Sequence, residues 1–94
     1  MSRIELVYFN GCPNVSEARH RIVEALTRTA MPQRWTEWNI DEPATPDDRR
    51  GYGSPTVLVD GRDVAGGAPG AGRGCVAAGA PSVALLVAAL GVVS

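Results

Sequence analysis

The stretch Ile4-Glu5-Leu6-Val7-Tyr8-Phe9-Asn10-Gly11-Cys12-Pro13-Asn14-Val15 settles more of the fold than any other part of the chain. Ile4 to Phe9 is β-branched and aromatic, and its apolar run outweighs any alternation, so it reads as a mostly buried first strand. Asn10-Gly11 stops it. Val15, Ala18, Ile22, Leu26 and Ala30 then recur at spacings of three and four, the stripe of a helix running from Val15 to about Ala30. Asn14 takes the N-cap position, Glu17 lies three residues on as in a capping box, and Met31-Pro32 ends the helix.

Working outward, Arg34 to Ile40 reads as a second strand with Thr36, Trp38 and Ile40 on one face. Trp35, Trp38 and Tyr52 are expected to fill the core or a sheet face, because a small domain has few large side chains. Residues 41 to 53 are polar and rich in Pro and Gly. Within them Thr45-Pro46-Asp47-Asp48 offers a cap residue, a proline at the first helical position and carboxylates in the first turn, so a short helix is expected near Pro46 to Arg50, closed by Gly51. Pro55 to Val59 gives a third strand. Asp60-Gly61 is a hairpin signal with Arg62 to Ala65 as the return strand. Residues 66 to 81 form a glycine-rich loop, after which Ser82 caps a last helix with Val83, Leu86, Val87 and Leu90 on one face and Gly91 at its end. The order is βαβ, a short helix, a β-hairpin and a helix. A right-handed parallel crossover plus a hairpin gives an α/β fold, a mixed four-stranded sheet with helices on both faces in one domain, residues 1 to 94.

Composition narrows the function classes. The chain has 94 residues, 45% hydrophobic and 20% charged, which fits one small globular domain and excludes wholesale disorder. The net charge of −1 and a pI near 5.7 argue against nucleic acid, and the basic residues, all Arg, show no clustering. The most apolar stretch, Val83 to Val93, is shorter than the about 20 residues of a membrane span. Glu5 interrupts the apolar run that a signal peptide would need, so the expected location is the cytoplasm, a reducing compartment. Two cysteines, Cys12 and Cys75, are too few for a disulfide scaffold and are expected to be inert, metal-ligating or redox-active.

The turn Gly11-Cys12-Pro13-Asn14 lies between the first strand and first helix, and Gly53-Ser54-Pro55-Thr56-Val57 leads into the third strand. With that element order, the chain resembles the thioredoxin-like superfamily over nearly its whole length. More closely, it looks like small bacterial thioredoxin-like proteins with a Gly-Cys-Pro turn and a Gly-Ser-Pro-Thr loop, some of them labelled as related to alkylmercury lyase. The resemblance implies a thiol-dependent oxidoreductase with Cys12 as its reactive cysteine and a cis proline at Pro55. It also implies a substrate groove formed by Pro13, Asn14, Ser54 and Pro55, in which the Ser54 backbone pairs with an extended thiol substrate as an added strand. The chain departs from the two-cysteine motif, because Val15 stands where the second cysteine would be and Gly11 where a Trp is usual. A single N-terminal cysteine is the arrangement of monothiol glutaredoxin-like proteins.

Apart from the resemblance, a thiol just ahead of a helix N-terminus faces unpaired backbone N–H groups and the positive end of the helix dipole. The position therefore predicts a thiol more acidic than the free value of about 8.5. The alternative is a half-buried cysteine that packs under the turn. Cys75, in the glycine loop after the fourth strand, is either a resolving cysteine or an unpaired thiol near the last helix. His20 falls opposite Ile22 and Leu26 on the first helix and is expected in solvent, which leaves a Cys–His pair unsupported. Asp41, Glu42, Asp47 and Asp48 read as solvated loop and cap charges without cysteine or histidine at a metal-ligand spacing.

Three functions remain open. The first is thiol–disulfide exchange or thiol transfer through Cys12 with a low-molecular-weight thiol or a protein as partner, resolved by Cys75 or an external thiol, and with no cofactor. The second is soft-metal or organomercurial binding, with Cys12 and Cys75 as paired thiolate ligands. The third is a binding module that keeps the fold without the chemistry, to which Val15 directly points.

Overall fold

A computed structural model of the protein describes residues 3 to 66 and 80 to 91. In chain order the elements are β1 (Ile4–Tyr8), α1 (Val15–Arg28), β2 (Thr36–Asn39), α2 (Asp47–Arg50), β3 (Thr56–Val59), β4 (Arg62–Asp63) and α3 (Val83–Ala89). The strands form one mixed sheet in the order β2-β1-β3-β4. β1 runs parallel to β2, with Val7 opposite Trp38, and antiparallel to β3, with Leu6 opposite Val57. A helical crossover joins the parallel pair, and a hairpin joins β3 to β4 antiparallel.

Because β1 is central, both of its faces are covered, and its alternation decides what covers each. Ile4 and Leu6 point to one side, where they meet Val57 and Val59 and the buried stripe Val15, Ala18, Ile22, Ala25 and Leu26 of α1. α3 closes the same layer with Leu86 and Leu90. On the other side Val7, Leu58, Ile40 and Tyr52 form a smaller cluster, with Trp38 packed against it. Glu5, 1% exposed, lies on that second side beside Val7. Arg49 of α2 forms a forked pair with it, Nε to Oε2 at 3.1 Å and Nη2 to Oε1 at 3.2 Å, and the Trp38 indole N–H donates to Oε2. α2 has no buried residue of its own; this ion pair ties it to β1, and Arg50 ties it to the segment after β2 by donating to Ile40 O at 3.0 Å.

Local chemistry explains where the elements end. Ala30 adopts φ +54°, Met31 N–H donates to Leu26 O and Ala30 N–H to Thr27 O, a Schellman closure of α1 with alanine at the left-handed position. Asp60 and Gly61 both have positive φ, as a two-residue hairpin turn requires. Ser82 caps α3 by accepting from Leu85 N–H at 3.2 Å, as expected.

Three expectations need correction. Asn14 sits at the N-cap of α1 but makes no side-chain cap bond; only its carbonyl engages, accepting from Ala18 N–H at 3.0 Å. Its φ of −95° and ψ of 1° lie outside the extended region from which a cap side chain reaches back. Thr45 does not cap α2, since Pro46 holds that place and the Thr45 hydroxyl donates to Asn39 O instead. The return strand is only Arg62–Asp63, because Asp63 begins a turn by accepting from Ala65 N–H and Gly66 N–H. Among the described residues no helix is long and apolar enough to cross a membrane.

Candidate functional site

The end of β1 and the loop before β3 meet because β1 and β3 are antiparallel neighbours, which brings the C-terminal end of one to the N-terminal end of the other. Gly11, at φ +85°, turns the chain after Asn10 in a conformation that side chains with a Cβ rarely adopt. Cys12 follows, three residues ahead of the first helical residue, and is 8% exposed. Its N–H donates to Phe9 O at 3.4 Å, and its Sγ donates to the carbonyl of Ser54 at 3.5 Å. Ser54 is fully buried and its Oγ accepts from Phe9 N–H at 3.4 Å. Ser54 of the pre-β3 loop is thus linked to the turn twice, through its carbonyl to the Cys12 thiol and through its hydroxyl to the Phe9 N–H.

The Ser54–Pro55 peptide is cis. Thr56 Oγ donates to Gly53 O at 2.7 Å across the same loop. Beyond Pro55, a cavity of about 340 Å³ opens between Thr56, Val57 and Asp63 on the sheet side and Pro81 and Leu85 on the helix side. Pro13 is exposed and Asn14 half-buried on the turn next to the thiol.

The S–H···O=C contact limits the chemistry. A thiol can donate to the Ser54 carbonyl, and a thiolate cannot, so ionisation of Cys12 breaks this contact and turns the sulfur towards other donors. The N–H groups of the first turn of α1 have no intrahelical acceptors and lie at the positive end of the helix.

Of the residues singled out in the sequence, Cys12, Ser54 and Pro55 are brought together, with Pro13 and Asn14 at the rim. Cys75 lies outside the described residues. His20 is in solvent, with its Nδ1 4.0 Å from Glu17 on its own helix. Among the described residues there is no group of three or more His, Cys, Asp or Glu able to hold a metal ion. Sequence reasoning missed the residues that hold the turn from the other side. Asn10 N–H donates to Asp41 Oδ2 at 3.3 Å, and Asn10 Oδ1 accepts from Asn39 Nδ2 at 3.0 Å. Asn10 and Asn39 bear the only available signal, as amides at the ends of two strands predicted to pair in parallel.

Comparison of the chain with protein-family models, curated proteins and solved structures found no match.

Proposed function

We propose that the protein is a thioredoxin-like thiol redox protein of the monothiol type, in which Cys12 exchanges with disulfides. The observation that supports this reading is that Cys12, three residues ahead of α1, sets its thiol against the Ser54 carbonyl, next to Pro55.

The exchange runs in two balanced steps. The Cys12 thiolate attacks one sulfur of a disulfide, a new S–S bond forms, the old one breaks, and the leaving thiolate takes up the proton that Cys12 lost. A thiol from solution then attacks the substrate sulfur of the mixed disulfide, which releases Cys12 as the thiol and leaves a disulfide between the attacking thiol and the substrate group; attack by Cys75 on the Cys12 sulfur would instead release the substrate thiol and leave a Cys12–Cys75 disulfide for an external thiol to reduce. Val15 in place of a second motif cysteine leaves the first helix without an internal resolving thiol. When Cys12 ionises, Ser54 O is released as an acceptor for the backbone N–H of an extended substrate. The substrate class is a low-molecular-weight disulfide or a protein disulfide in a reducing compartment, with no cofactor.

Intact mass after incubation with oxidised glutathione tests the reading. Wild type and Cys75→Ser should each gain one glutathione, reversible by excess thiol, and Cys12→Ser should gain none at that site. Wild-type Cys12 left unmodified under conditions that modify a free thiol would identify a fold without the chemistry.

A further inference from the structure

The β2–α2 loop reaches the cysteine turn at Asn10, and its own rigidity gives that contact weight. Arg50 donates to four main-chain carbonyls of this loop, those of Ile40 (3.0 Å), Glu42 (2.8 Å), Pro43 (3.1 Å) and Thr45 (3.1 Å). Glu42 N–H donates to Asn39 O at 2.9 Å, and Asp41 N–H donates to Asn39 Oδ1 at 2.9 Å. With its backbone so held, the loop presents Asp41 Oδ2 to the main-chain N–H of Asn10, beside the bond from Asn39 Nδ2 at the end of β2 to the Asn10 side-chain oxygen. Asn10 is two residues from Cys12, in the turn whose hinge is Gly11.

We infer that Asp41 is a positioning residue: its carboxylate oxygen, by accepting from Asn10 N–H, keeps the Gly11 turn closed and holds the Cys12 thiol against Ser54, which limits its access to reagents. Phe9 is held by Ser54, and Asn10 by Asp41 at its main-chain N–H and by Asn39 at its side chain; losing the main-chain tie lets the Gly11 turn open and the sulfur leave its 8% exposed position. The catalytic meaning of this clamp rests on the exchange function proposed above, whereas the clamp itself is a statement about access to Cys12.

The test is the rate of alkylation of Cys12 by iodoacetamide in the full chain carrying Cys75→Ser, compared with the same chain carrying Asp41→Ala or Asp41→Asn. Asparagine keeps an acceptor oxygen for Asn10 N–H and removes the charge. Asp41→Ala should alkylate about three- to tenfold faster, the scale of one hydrogen bond lost, and Asp41→Asn should stay within about twofold of the parent. An unchanged rate in Asp41→Ala overturns the inference, and so does equal acceleration in both variants, which would assign the effect to charge. Hydrogen exchange at the Asn10 amide gives a second readout: protection in the parent and in Asp41→Asn, lost in Asp41→Ala. Equal protection in all three overturns the inference. Failure of the exchange reading would show separately, as absence of a glutathione adduct with the alkylation ratio still intact.

Discussion

The sheet face under α1 and α3 is closed by Leu6, Val57, Ile22, Leu26, Leu86 and Leu90, whereas the face under α2 is centred on the carboxylate of Glu5 and the guanidinium of Arg49. The first face holds together through apolar area, tolerates small shifts and carries the cysteine turn at its edge. The second depends on a buried charge that is favourable only while each partner keeps the other. One sheet therefore has one face that can be softened gradually and one that fails when a single side chain is removed.

The sharpest way to break this contrast is Arg49→Leu, which leaves the buried Glu5 carboxylate with the Trp38 indole and the exposed Arg3, whose Nε lies 4.0 Å from Oε1. Removing one partner of such a pair costs about 3–5 kcal/mol. Denaturant unfolding should show a loss of that size, while Glu5→Leu with Arg49→Leu regains most of it. If the single variant matches wild type, the ion pair is not what holds α2.

Acid should find the same weak point next. Burial pushes the Glu5 carboxyl up, but the hydrogen bonds from Arg49 and Trp38, with the charges of Arg49 and Arg3, outweigh it and leave it below its ordinary value. The group is thus ionised more readily folded than unfolded. Its contribution is fully present above the unfolded value of about 4.3 and is lost as pH falls through the lower folded value. Stability measured downward from pH 6 should decline below about pH 4.5 in wild type, and decline less in the double leucine variant. Glu37, held down by its hydrogen bond to Arg19, adds a contribution of the same sign in both proteins.

The smallest effect sharpens the apolar side. Ala30 closes α1 in the left-handed region, where a Cβ costs about 1 kcal/mol and glycine is free of that cost. Ala30→Gly should therefore stabilise the protein by up to about that amount despite adding a glycine. A decrease in the unfolding midpoint would contradict the strain assigned to that residue.

The same contrast explains what the sequence disclosed. The stripe of α1, the turn signals at Gly11 and Asp60-Gly61, and the Ser82 cap were legible because each depends on near neighbours in the chain. Glu5 was hidden within an apolar run, and its partner Arg49 is 44 residues away on a helix with no apolar face. Asn14 and Thr45 carried cap chemistry in their identities, but backbone dihedrals at the first and a distant carbonyl at the second took those side chains elsewhere. At the candidate site, Cys12, Ser54 and Pro55 were readable from the Gly11-Cys12-Pro13 turn and the Ser54-Pro55 loop at the ends of neighbouring strands. Asp41 read as a solvated loop charge, because its tie to Asn10 exists only once β1 and β2 pair.

The central claim is that Cys12 exchanges with disulfides, and the most direct measurement is the rate at which a small mixed disulfide is reduced by glutathione in the presence of the protein. Wild type and Cys75→Ser should raise the rate above that of buffer, in proportion to protein concentration, and Cys12→Ser should return it to the buffer rate. A wild-type rate equal to buffer, or one that survives Cys12→Ser, would contradict the account.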